Sequence, residues 1–461
     1  MRIRNARGAF ALAAGASLAL VLSACAPPMD EQGASPAPGG DDTGTSEPGG
    51  DAAEGCEDYA VYGDLSGKKV TVYTSIVDVE QVDQEESYDK FEECTGATIE
   101  YEGSREFEAQ LLVRIESGNA PDIAYLPQPG LLNTIVTDFP DAIVPAPAET
   151  EANVDQFFAE SWKDYGTVDG TFYAPPFGAG IKSIVWYRPP AFEAAGYEVP
   201  ETWDDLIALS DQIVADGNKP WCFGAESGGA TGWPITDWLE ELMLRTTTPE
   251  IYDQWVAHEI PFDAPEIVTA LDAVGEVLRN EEYILNGVES IPSVDHAQAG
   301  LPIMDDECYL FQHPNWWASN LPDGTEFGPD GDINIFFEPM ATADAPKAVL
   351  GGGEFIAAFN DRPVVEFVAK YLTSAEYANS RMAQGSWISP NTQADVSNIT
   401  DPLTKQVAEY LQLKESTIYS WAQDSKIPAI KIGRTWRFRR ADLDTWLERH
   451  LRGEDAQMDE A

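Results

Sequence analysis

Basic residues are scarce in this chain. Against 79 Asp and Glu stand only 28 Lys and Arg, a formal net charge of −51 over 461 residues. A surface of that sign repels nucleic acid and anionic membranes and favours solubility, as in an acidic exported protein. Ligands for a metal are as thin. The four histidines (258, 296, 313 and 450) and five cysteines show no metal-binding spacing, so no metal and no other cofactor is expected. There is no G-x-S-x-G elbow and no Walker A loop. So many carboxylates guarantee chance pairs, and a glycosidase needs two that flank a cleft, so the chain is not expected to be an enzyme. Past the N-terminus no apolar run is long enough to span a bilayer.

What is present is a chain that is 43% hydrophobic, enough to bury the cores of two or three domains. Its charge is uneven: residues 401–452 hold ten basic and seven acidic residues, against the strong acidity of the rest. A basic segment closing an acidic chain implies pieces with different partners. At the other end, Arg2, Arg4 and Arg7 precede a short apolar run, Gly8 to Leu22, that reads as a signal peptide. It closes on Leu22-Ser23-Ala24-Cys25, which looks like a lipobox, so residues 1–25 are expected to be removed up to a lipid-bearing Cys25. Residues 26–56, rich in Pro, Gly, Ser, Asp and Glu, cannot bury apolar area and are expected to be a disordered tether.

The remaining four cysteines are expected to pair in an oxidising compartment. Three connectivities are possible. The favoured one joins Cys56 to Cys94, pinning the domain's start to its first helix, and Cys222 to Cys308, clipping two remote segments. Residues 69–74, 98–101 and 121–125 read as strands, separated by an amphipathic helix over 83–94 and another over 107–116. Strands alternating with helices predict βαβ units and a parallel sheet, with ligands at the carboxyl ends of the strands.

The stretches "GNAPDIAYLPQPGLL" (118–132), "GTFYAPPFGAGIKSIVWYRPPAFEAAGYEVPETWDDLIAL" (170–209), "PWCFGAESGGATGWPITDWLEELMLRT" (220–246), "VLGGGEFIAAF" (349–359) and "WISPN" (387–391) resemble family 1 solute-binding proteins of ABC importers, the alpha-glucoside and maltose-binding branch among them. The resemblance covers residues 57–400. It implies a two-lobe α/β fold of the periplasmic-binding-protein type with a hinge, lobe 1 over 57–175 and 354–390 and lobe 2 over 176–353, closing on a sugar. It also implies partners: a carbohydrate ligand and the permease subunits of an ABC transporter. A sugar site needs rings to stack on its C–H faces and polar groups for its hydroxyls. The resemblance places such contacts at Trp233, Trp316, Trp317, Gln128, Ser104, Arg105, Gly352 and Glu354. Trp203 and Trp238 lie on helical patterns and read as core, while Thr202 reads as the N-cap of the helix that begins at Trp203.

From Leu403 the pattern changes. Residues 405–411 and 416–424 read as two short helices, 427–432 and 435–438 as strands of a hairpin around Gly433-Arg434, and 440–451 as a third helix. This run, 402–452, resembles the excisionase-like, MerR-related winged helix-turn-helix family, followed by an acidic tail over 453–461. The resemblance implies double-stranded DNA as a partner, met by Lys414, Glu415, Ser416, Thr417, Tyr419, Ser420 and Lys426 at the second helix and by Arg434, Arg437 and Arg439 at the wing.

The two resemblances demand different compartments, because everything after a lipidated Cys25 lies outside the membrane and DNA lies inside. The helix-turn-helix run also starts where solute-binding relatives continue with helices that complete their second lobe, so that lobe is expected to be truncated. The expected function is therefore a lipid-anchored extracellular protein that delivers a carbohydrate to an importer and carries a DNA-binding module. The alternative is a DNA-binding regulator or recombination directionality factor, cytoplasmic, with a mis-joined solute-binding remnant.

Overall fold

A computed structural model describes residues 55–341, 348–385, 387–399, 405, 430–432 and 435–437. Thirteen strands are found among them: β1 (Lys69–Thr74), β2 (Thr98–Gly103), β3 (Ile123–Leu126), β4 (Thr167–Val168), β5 (Thr171–Phe172), β6 (Gly180–Ile181), β7 (Ile184–Tyr187), β8 (Leu310–Gln312), β9 (Asn334–Phe337), β10 (Gly351–Gly352), β11 (Phe355–Ala358), β12 (Ile430–Ile432) and β13 (Thr435–Arg437). The expected βαβ units are there. In the first sheet, ordered β11-β3-β1-β2, β1 runs parallel to β2 and β3, while β11 returns antiparallel to β3. Side chains alternate with period two and both faces are buried, as a largely parallel sheet requires. Val70, Val72, Ile123, Tyr125 and Ile356 face one core, and Tyr73, Ala124, Leu126, Phe355 and Ala357 face another.

The structure departs from the expected helix over 83–94. It forms two helices, Asp78–Glu86 and Asp89–Thr95, broken at Ser87 and Tyr88. The Ser87 carbonyl, which would continue the helical ladder, instead accepts from the hydroxyls of Tyr371 and Ser380. The buried Tyr88 hydroxyl lies 2.6 Å from that of Tyr125. Tertiary partners thus outbid the local pattern. The third strand starts at Ile123 rather than at 121, because Pro121 has no N–H to give a ladder and Asp122 spends its carboxylate on the backbone N–H of Thr71 and on Asn360.

A second sheet, β8-β7-β9, is antiparallel throughout. Its central strand turns Ile184 and Trp186 toward the core shared with the first sheet, and Val185 and Tyr187 toward a separate core. That second core holds Trp203 and Trp238, both buried as expected. The helix Trp203–Ala215 opens with a reciprocal capping box. Thr202 accepts from the Asp205 backbone N–H, and the Asp205 carboxylate accepts from that of Thr202. Cys56 is bonded to Cys94 and Cys222 to Cys308. β12 and β13 pair antiparallel, with Lys431 opposite Trp436, so the expected hairpin forms. No helix of the described residues is long and apolar enough to cross a membrane.

One cluster of polar groups is buried beside the second core. Ser183 donates to Glu241 (2.7 Å), Glu241 pairs with Arg245, and Arg245 also donates to the Ala348 carbonyl (2.7 Å). Glu338 sits among them with neither carboxylate oxygen partnered among the described residues. Burial, then the charge of Glu241, push it up to about 8. A group raised on folding stabilises the protein fully below its ordinary value and loses that contribution as pH rises through the folded value. Denaturant melts are therefore expected to show stability falling from the ordinary carboxylate range up to about pH 8, by at most about 1.4 kcal/mol per unit from this group. Glu338→Gln is expected to flatten that slope, and an unchanged slope in the variant would place its origin elsewhere.

Candidate functional site

Between the two sheets the chain passes through three adjacent segments. β6 pairs with β10, the Phe177 N–H donates to the Glu354 carbonyl (3.0 Å), the Lys182 N–H to that of Leu350 (2.9 Å), and the Ala179 N–H to that of Ile388 (2.9 Å). Backbones this close demand residues without side chains. A Cβ on Gly178 would fall on the Glu354 carboxylate and lie 3.0 Å from Trp387 Nε1. One on Gly180 would lie 2.7 Å from the Trp316 ring and 3.1 Å from Asn315 Oδ1. The glycines thus let two indoles and a carboxylate close in on the crossing.

On the second-sheet side stand Trp233 and Trp316, both partly exposed. Lys182 Nζ lies 5.8 Å from the Trp233 ring and donates to Asp237 (2.7 Å). Burial, offset in part by Lys182, pushes Asp237 up to about 6, and its other oxygen has no partner among the described residues. Trp233 sets its edge against His296 (4.9 Å) and His313 (5.5 Å), two imidazoles stacked within 5° of parallel and joined Nδ1 to Nε2 at 3.0 Å. Burial holds both below the ordinary histidine value.

On the first-sheet side stand Glu80, Glu354, Arg381 and Trp387, with Trp162 beside Gly353. Arg381 is almost wholly buried. It donates through Nε to Gln84 (3.3 Å), lies 3.7 Å from Asp83, and sits 5.9 Å over the Trp387 ring. Burial pushes Glu80 up to about 7 despite Arg381, and Glu354, Asp83 and Asp78 add to the rise. Burial likewise raises Glu354, against the pull of Arg381 and Lys182. Trp387 Nε1 and Arg381 Nη1 are buried without hydrogen-bond partners among the described residues. The arrangement offers aromatic faces, unmatched donors and enclosed acceptors. It holds no group of three potential metal ligands among the described residues.

The structure thus brings Trp233, Trp316, Gly352 and Glu354 to the crossing and sends the other expected contacts elsewhere. Trp317 is core, not platform. It is fully buried, its Nε1 donates to the Ala297 carbonyl (2.8 Å), and its ring meets Trp186 edge-on. Gln128 caps the helix Pro129–Asp138, accepting from the Leu131 N–H and donating to Glu108. Ser104 accepts from the Glu106 N–H (3.2 Å). Arg105 is taken up by three carboxylates, Asp295 at 2.6 Å, Asp78 at 2.7 Å and Glu226 at 3.8 Å, and so ties the first sheet to loops of the second. Burial would raise Asp295, but the Gln298 N–H and Arg105 outweigh it and hold it below the ordinary range. Reading the sequence missed Lys182, Asp237, His296, His313, Glu80, Arg381 and Trp387. Lys182, Asp237 and Trp387 stood in stretches already singled out, but nothing in their spacing set them apart from core residues. Cys25 and the side chains of Lys414, Glu415, Ser416, Thr417, Tyr419, Ser420, Lys426, Arg434, Arg437 and Arg439 lie outside the described residues, as do the three expected C-terminal helices apart from Lys405.

Residues 74–379 match the family described as bacterial extracellular solute-binding protein, and residues 404–451 match the one described as helix-turn-helix domain. The chain is 36% identical over 384 residues to the osmoprotective compounds-binding protein GgtB of Synechocystis sp., covering 83% of this chain and 90% of that one. It is 34% identical over 364 residues to the alpha-glucosides-binding periplasmic protein AglE of Rhizobium meliloti, covering 77% and 79%. The solved structure of the bacterial solute receptor AcbH, described as having an exclusive substrate preference for β-D-galactopyranose, superposes with a TM-score of 0.63 at 18% identity, over 76% of this chain and 87% of that one. That last likeness carries the fold alone.

The two neighbouring indoles are expected to part company on truncation. Trp317→Ala should destabilise the protein by about 3–5 kcal/mol in denaturant melts, as loss of a filled core position does. Trp316→Ala, at the crossing, should cost less than about 1.5 kcal/mol. Equal losses would contradict the division between core and platform.

Proposed function

The chain belongs to the bacterial extracellular solute-binding protein family, and from that premise we propose that it captures a carbohydrate, of the oligosaccharide or alpha-glucoside kind, for delivery to the permease subunits of an ABC importer. The observation that carries this reading is the pair of partly exposed indoles, Trp233 and Trp316, set about a crossing that also holds Glu354, Lys182 and the unpartnered Trp387 N–H. Rings for the C–H faces of a sugar and mixed donors and acceptors for its hydroxyls are what such a ligand requires. The two sheets act as two lobes, and the paired segments β6 and β10 as their hinge. The solute-binding part runs over 57–400 behind a tether, 26–56, and a lipid on Cys25 holds it at the outer face of the cell membrane. We read the second lobe as truncated where the helix-turn-helix run begins.

A second reading rests on the match over 404–451 and on the β12-β13 hairpin. Residues 402–452 form an excisionase-like DNA-binding domain, whose use on DNA requires a cytoplasmic form of the chain. The acidic body and the compartment conflict favour carbohydrate capture as the working function of the whole protein.

Titration calorimetry of the full chain with maltose, trehalose and galactose is expected to give saturable heat with at least one alpha-glucoside, and Trp233→Ala to weaken it about tenfold or more. Silence with all three would remove the carbohydrate reading. A gel shift with duplex DNA at rising salt tests the second reading. Retention with a shallow salt slope would support few phosphate contacts, and no retention at low salt would dismiss it. Membrane fractionation with mass spectrometry of the N-terminal peptide tests the lipid on Cys25.

A further inference from the structure

Among the described residues, Arg105 is the only cation whose ion pairs join the first-sheet side of the crossing to the second-sheet side. It follows β2, and its Nη2 meets Asp78 (2.7 Å) at the start of the helix Asp78–Glu86, on its own side. Its Nη1 reaches Asp295 (2.6 Å) and Glu226 (3.8 Å), which bridge to each other on the other side. The run that leads to Glu226 begins at Trp221, which bridges to Leu310 of β8. Both far carboxylates are anchored in their own loops. Asp295 Oδ1 accepts from the N–H groups of Ala297 (3.0 Å) and Gln298 (2.9 Å), which leaves Oδ2 for Arg105. Glu226 Oε1 accepts from the Gly228 N–H (2.8 Å), and Oε2 is the atom nearest Arg105. Asp78 holds a left-handed backbone, φ 59°, which a residue with a side chain keeps only where its surroundings impose it. The main chains touch as well. The Gly229 N–H donates to the Arg105 carbonyl (3.2 Å), and a Cβ on Gly228 would lie 2.8 Å from that of Arg105.

The segments that Arg105 grips are those that carry the rings of the site. Trp233 opens the helix just past Gly232, and His296, whose ring lies 4.9 Å from that of Trp233, follows Asp295 directly. A guanidinium with both terminal nitrogens given to carboxylates is poorly free to hold a sugar hydroxyl. Movement of the two sides apart would pull it from Asp295 and Glu226 and leave it with Asp78. We propose that Arg105 is a latch, a positioning residue that touches no sugar and sets how long a captured one stays by tying the two sides of the cleft together. Resting on the carbohydrate reading above, the latch adds to it a residue that governs release and a dependence on salt. The Arg105 side chain is 39% exposed, so dissolved ions reach the tie and weaken it. A neutral sugar brings no charge of its own, so any effect of salt on its release reports ion pairs of the chain.

The test is stopped-flow tryptophan fluorescence of the full chain with maltose and with trehalose, at about 50 mM and about 500 mM sodium chloride. Arg105→Gln is expected to release the sugar about fivefold faster, with association changed by less than about twofold. Salt should quicken release from the wild-type protein by about threefold and leave release from the variant unmoved. Asp295→Asn should behave as Arg105→Gln does, and the two together should add little to either alone. Unchanged release in Arg105→Gln, a loss carried by association instead, a salt response kept in the variant, or additive effects of the two substitutions would each overturn the latch while leaving carbohydrate capture intact. Small-angle scattering without sugar gives a second readout. Arg105→Gln is expected to show a larger radius of gyration than the wild-type protein in the same buffer, and equal radii would overturn the latch. Silence with both sugars would remove the carbohydrate reading, and the scattering would still decide the latch. Asp295→Asn takes the place of Arg105→Gln in both measurements if the latter does not fold.

Discussion

The rest of the site depends on how closely three backbone segments pass one another between the sheets. The Gly178 and Gly180 positions lie against Glu354, Trp387 and Trp316, and β6 is held to β10 by a short antiparallel ladder. A ladder of two residue pairs is a weak hinge and a narrow one. It fixes the height at which rings and carboxylates meet, yet contributes few of the hydrogen bonds that hold either sheet together. One core runs through the crossing from sheet to sheet, with Phe177, Ala179 and Ile181 among its members.

Charge is distributed around that crossing with economy. The chain carries a large excess of carboxylates, and among the described residues each cation near the crossing has carboxylates beside it: Lys182 has Asp237, Arg381 has Asp83 at 3.7 Å, and Arg105 has Asp78, Asp295 and Glu226. Arg105 has a different part. It joins the segment after β2 to loops of the second half and so adds an electrostatic tie beside the backbone hinge. Its three carboxylates are partly exposed, which keeps the tie sensitive to salt and modest in strength.

The C-terminal run stands apart in charge and in kinship. Its match to a helix-turn-helix domain begins at residue 404, whereas the solute-binding match ends at residue 379. Within it β12 and β13 pair antiparallel.

Much of the architecture was legible in the residues. Alternation of β-branched and aromatic residues marked β1 and β2, the 3.6-residue pattern marked Phe107–Glu116, and Thr202 marked the start of its helix, because each of these is settled by neighbours in the chain. The break at Ser87 was not legible, since its cause is two hydroxyls from residues nearly three hundred positions away. Nor was the difference between Trp316 and Trp317. Adjacent residues of one type look alike until packing sends one indole into the core beneath Trp186 and leaves the other over Gly180. Local pattern and resemblance were enough to name β1, β2, β3 and the β12-β13 hairpin, the family and two of the site's rings. Only the tertiary structure could bring Glu80, Arg381, Glu354 and Trp387 together, because their meeting depends on how remote segments cross and on nothing that any one of them carries alone.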